Sequence, residues 1–151
     1  MYDLDILAEL SRIANDRVSG ASKLFDEACR VLGLWAEECI ESGTLDKEAL
    51  RDVLKALMNV HPTMAPIKTL TILVREIVES HEPLDHKFRR LNSLAEVLRT
   101  YRAECLKLIA ERFREIVKGR VRVFTLSFSS VVYNTLKSCK NLVDEVLIVE
   151  S

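Results

Sequence analysis

Residues 121–151, VRVFTLSFSSVVYNTLKSCKNLVDEVLIVES, decide how this chain is read. VRVFTL is a short β-branched run, bounded by Gly119 before it and a serine cluster after it. EVLIVE, near the far end, is a run of the same kind. Between them, SSVVYNTLKSCKN carries Val131, Val132, Leu136 and Cys139 at helical spacing. Strand, helix, strand is the opening unit of a parallel sheet, and its crossover is expected to be right-handed. Two parallel strands do not make a stable sheet by themselves, because such sheets are covered on both faces and have further neighbours. The unit is therefore expected to leave open strand edges that invite pairing with another chain.

Upstream the period changes to that of helices. Residues 3–18 read as a first helix, with Leu4, Leu7, Leu10, Ile13, Ala14 and Val18 apolar. A second starts at Ser19–Ser22 and carries Ala21, Leu24, Ala28, Leu32, Trp35 and Cys39 on one face. Gly43 suits the left-handed residue that ends it. A third runs from about Asp46 to Val60, capped by Asp46 or Thr44. HPTMAP, His61–Pro66, interrupts the pattern, because Pro62 restricts itself and His61. Pro66 fits the first turn of a fourth helix carrying Ile67, Leu70, Leu73, Val74, Ile77 and Val78. A long fifth helix, from about Leu84 to Lys118, places Leu91, Leu94, Leu98, Tyr101, Cys105, Leu108 and Arg112 at alternating steps of three and four. At about 1.5 Å per residue it is a rod on the order of 50 Å. The expectation is a mainly α protein: a helical N-terminal domain over 1–118 with about five helices, and an incomplete βαβ unit over 119–151.

Composition narrows the function. The chain has 151 residues, 48% hydrophobic and 30% charged, the balance of a folded globular protein. Twenty-two basic and 23 acidic side chains leave a net charge of −1, which argues against a nucleic-acid partner. No apolar run approaches the roughly 20 residues that span a bilayer. MYDLDILAEL lacks a basic n-region, so a signal peptide is not expected and a cytoplasmic location is. Cys29, Cys39, Cys105 and Cys139 show no C-x-x-C pairing, and His81 and His86 straddle Pro83. Buried, reduced thiols are expected, with no metal and no cofactor. There is no internal repeat and no low-complexity tract.

Three stretches together resemble the family of translation initiation factor 2B alpha, beta and delta regulatory subunits, which includes sugar-phosphate isomerases. SGAS, Ser19–Ser22, is similar to the family's glycine–alanine helix start. HPTMAPIKTL, His61–Leu70, resembles its R-P-T segment, with His61, Pro62 and Thr63 at the motif positions. VFTLSFSSVVYNTLKSC with VLIVES resembles the strand, serine turn, helix and strand that open its Rossmann-like domain. In the family the second strand runs into E-S-R-P, matched here by Glu150 and Ser151. The resemblance implies a C-terminal βαβ fragment of a Rossmann-like α/β domain, in a member lacking most of that domain.

The isomerase branch, acting on ribose 1,5-bisphosphate or methylthioribose 1-phosphate, uses a cysteine after the first strand and a later aspartate. The matching position here is Ser127. A thiol titrates near about 8.5 and an alcohol far above it, so serine cannot simply replace it. The isomerases also carry arginines before the glycine–alanine pair and before Pro-Thr, where this chain has Ser19 and His61. These departures imply a non-catalytic regulatory or interaction protein. Its expected partners are initiation factor 2-like proteins, family paralogues, or a second copy through the open βαβ edge. One alternative is an isomerase of the ribose 1,5-bisphosphate type whose catalytic remainder is encoded separately. Another is a helical remnant without a partner.

Two helix starts are candidate anion sites: Ser19, Gly20 and Ala21, and the trio Ser127, Ser129 and Ser130. Ordinary capping by serine is the competing and favoured reading. His61 reads as a loop histidine packed against a helix start, and Trp35 as core. KFRR, Lys87–Arg90, reads as a solvated face answered by Glu82, Asp85 and Glu96. RFREIVKGRVR, Arg112–Arg122, is the most basic segment.

Overall fold

A computed structural model describes residues 5–126 and 129–149. Its elements follow in the order α1 (Ile6–Asn15), α2 (Ala21–Ser42), α3 (Lys47–Asn59), α4 (Ala65–Glu79), α5 (Leu84–Ile116), β1 (Val121–Thr125), α6 (Ser130–Ser138) and β2 (Val143–Ile148). The chain divides into two compact units, Met1–Arg99 and Thr100–Ser151, the division falling within α5. The mainly α architecture with a terminal βαβ is the one read from the sequence.

In the first unit each helix contributes one stripe to a shared core. Leu10, Ile13, Leu24, Leu32, Leu50, Leu57, Ile67, Leu70 and Leu91 are all buried there. Trp35 and Phe88 meet with ring centroids 5.1 Å apart and planes tilted by 46°. Such a pair contributes about 0.5–1.5 kcal/mol beyond its burial. Gly33 lets α2 approach α5 closely: a Cβ built there would lie 3.1 Å from the Cβ of Ala95. The helix ends obey local chemistry. Gly43 adopts φ 70° after α2, and the Asp46 side chain accepts the Glu48 N–H to start α3.

Three readings need correction. The first helix stops at Asn15, three residues early, and Val18 is 96% exposed. The Asp16 carboxylate accepts the N–H groups of both Val18 and Ser19 at 2.8 Å, a local arrangement that competes with the helix. At its other end, Leu4 lies outside the described residues. On α5, the spaced residues read from the sequence are covered as far as Leu98, while Tyr101 is 64% and Leu108 59% exposed and Arg112 faces solvent, an exposure on which the sequence reading took no position. Periodicity records which residues share a face, not whether anything packs on it.

KFRR is not uniformly solvated. Lys87 is buried and its Nζ donates to the Val78 carbonyl at 2.6 Å, beside the core residue Phe88. Arg90 does reach the Glu82 carboxylate, through two contacts of 2.9 Å. Finally, β2 begins at Val143 rather than Glu145, because Val143 already pairs with Val121.

In the second unit β1 and β2 pair in parallel, with Phe124 beside Leu147 and Thr125 beside Ile148. Asp144 is skipped between the pairs Val121–Val143 and Arg122–Glu145, a bulge at the start of β2. Cys139 is buried, and its thiol donates to the Ala110 carbonyl at 3.5 Å. Many apolar side chains of this unit stay open to solvent, including Phe124, Leu126, Leu147 and Ile148.

Candidate functional site

The glycine–alanine start and the His-Pro-Thr segment, 40 or so residues apart in sequence, are linked through the end of α1 by a chain of hydrogen bonds. The link is the Ile13 carbonyl at the end of α1. It accepts the backbone N–H of Asp16 at 3.2 Å and also contacts Nε2 of His61 at 3.0 Å. A carbonyl can only accept, so Nε2 is the protonated nitrogen of that imidazole. His61 is buried and sits at φ 40°, a left-handed conformation that costs an ordinary residue roughly 1–2 kcal/mol. Its own carbonyl accepts the Met64 N–H at 2.9 Å and closes the turn over Pro62 and Thr63. The His61 ring thus meets the end of α1, while its backbone carbonyl accepts from Met64, the residue that caps α4.

From Asp16 the network continues to Ser19. Hydrogen bonds from the Ser19 backbone and side chain and from the Val18 N–H hold the Asp16 carboxyl at about 2, below its ordinary 3.8. A nearby Lys23 adds to the effect. Gly20 then caps α2 without a side-chain hydrogen bond, and its carbonyl accepts the Lys23 and Leu24 N–H groups. Ala21 opens the helix. An ionised carboxylate thus already occupies the amides just ahead of α2, and an incoming anion would meet its charge.

In the second unit, Ser129 caps α6, its Oγ accepting the Val132 N–H at 3.5 Å, and Ser130 is the first helical residue. Asn134 donates to the Ser130 carbonyl. Both serines serve the helix start. Ser127 and Glu150 lie outside the described residues. The basic segment is internally engaged: Arg112 pairs with Glu115, Arg114 donates to the Ser138 carbonyl at 2.8 Å, and Arg120 pairs with Asp144.

Among the described residues no three His, Cys, Asp or Glu side chains gather as metal ligands. Cys29, Cys39 and Cys139 are buried, and Cys105 is partly so. Burial pushes the Cys39 thiol up, with Thr44 opposing through a hydrogen bond. Among the described residues, no helix is long and apolar enough to cross a membrane. Sequence reasoning missed two participants, Asp16 and Ile13. Asp16 had a findable signal, an acid three residues before a serine at a helix start. The Ile13 carbonyl had none.

No protein-family model matches this sequence. No curated protein matches it either. A solved structure described as the translation initiation factor eIF-2B of Pyrococcus horikoshii OT3 is similar to this chain with a TM-score of 0.71 and 23% identity. The similarity covers 95% of this chain and 49% of that one, so this chain spans about half the length of that protein. Identity at this level establishes a shared fold.

Proposed function

We propose that this chain is an initiation factor 2B-like protein that binds protein partners and does not turn over a sugar phosphate. The observation that carries this reading is the shared fold, over 95% of the chain, with a protein described as eIF-2B. Residue chemistry supports the non-catalytic part. Ser127 stands where the isomerase branch uses a thiol, and an alcohol is a far weaker acid. His61 stands where that branch has an arginine, and its imidazole is spent on the Ile13 carbonyl. At the third matched place, the fixed Asp16 carboxylate disfavours a phosphate. In this reading residues 1–118 carry the partner-facing surface, the partners are initiation factor 2-like subunits or paralogues, and the protein works in the cytoplasm.

The test sets binding against turnover. The purified chain, immobilised, is expected to retain purified initiation factor 2 subunits or paralogous 2B subunits saturably, and to leave ribose 1,5-bisphosphate unchanged. Turnover of that substrate by the purified chain, lost in Ser127→Ala, would replace this proposal with the isomerase. Failure to retain any of those subunits would remove the partner assignment.

A further inference from the structure

We draw no further inference here: the strongest candidate, the apolar groove of about 490 Å³ between α6 and β2 lined by Val132, Leu136, Val146 and Ile148, carries none because nothing in the structure shows what covers it.

Discussion

The two compact units handle apolar residues in opposite ways. In the helical unit the cluster from Ile6 to Ala95 is closed, and its largest members are essentially inaccessible to water. Among the described residues of the βαβ unit, those buried are Ala110, Thr135 and Cys139, while Phe124, Leu126, Leu147 and Ile148 stay half-exposed or more. The contrast follows from geometry. An amphipathic helix has one apolar stripe, and a handful of helices can satisfy one another. A parallel strand is apolar on both faces, so one helix and one neighbour cannot cover it. Burial, and with it stability, therefore concentrates in the first unit.

The comparison breaks most visibly at Phe88, which is fully buried against Trp35. Phe88→Ala should cost the helical unit about 3–5 kcal/mol, because the cavity left among rigid helices cannot collapse. Urea denaturation followed by far-UV circular dichroism should show the midpoint falling with the slope preserved. An equally large cut in the βαβ unit, Leu147→Ala, should barely move that midpoint, since half of this side chain already faces water.

His61 gives a smaller effect in the same unit. His61→Ala loses the bond to the Ile13 carbonyl and keeps the left-handed backbone, an expected loss of about 1–2 kcal/mol. His61→Gly also loses the bond but relieves the backbone, so it should be the milder change by roughly 1 kcal/mol. If glycine proves the worse of the two, the strain at φ 40° is not what sets the cost.

These residues also show how much was legible beforehand. Helix limits at Gly43, Asp46 and Pro66 depend on neighbours in sequence, and each was readable from local chemistry. The end of α1 depends on one carboxylate choosing two amides, and there the apolar pattern misled, carrying the helix on to Val18. The role of His61 depends on a carbonyl 48 positions away, a contact that no local pattern encodes. On α5, spacing identified a stripe correctly but could not say that Tyr101 and Leu108 lack cover. Fold class comes from periodicity, whereas the chain of hydrogen bonds that joins Ser19 to His61 comes from tertiary packing.

Thr135 sharpens the contrast from the other side. Its Oγ1 is buried without a hydrogen-bond partner among the described residues, in the unit that otherwise exposes its apolar groups. Thr135→Val keeps the branched shape and removes the hydroxyl, so it should stabilise the βαβ unit by about 1 kcal/mol. Amide hydrogen exchange within α6 should slow in this variant. Unchanged or faster exchange would mean that the hydroxyl finds a partner in solution.

The least effect is expected at Asp16, and its sign depends on pH. The folded protein holds this carboxyl at about 2, below the ordinary 3.8, chiefly through the Ser19 N–H. A depressed carboxyl binds its proton more weakly when folded than when unfolded, so its ionised form favours the fold. That contribution is fully present above pH 3.8 and disappears as the pH falls through about 2. Asp16→Ala should therefore be less stable than the parent at neutral pH, by a margin that narrows across the acid range. Because the carboxyl is exposed, solvent screening keeps the margin small. A gap that persists unchanged below pH 2 would assign the effect of the substitution to lost turn geometry instead of to charge.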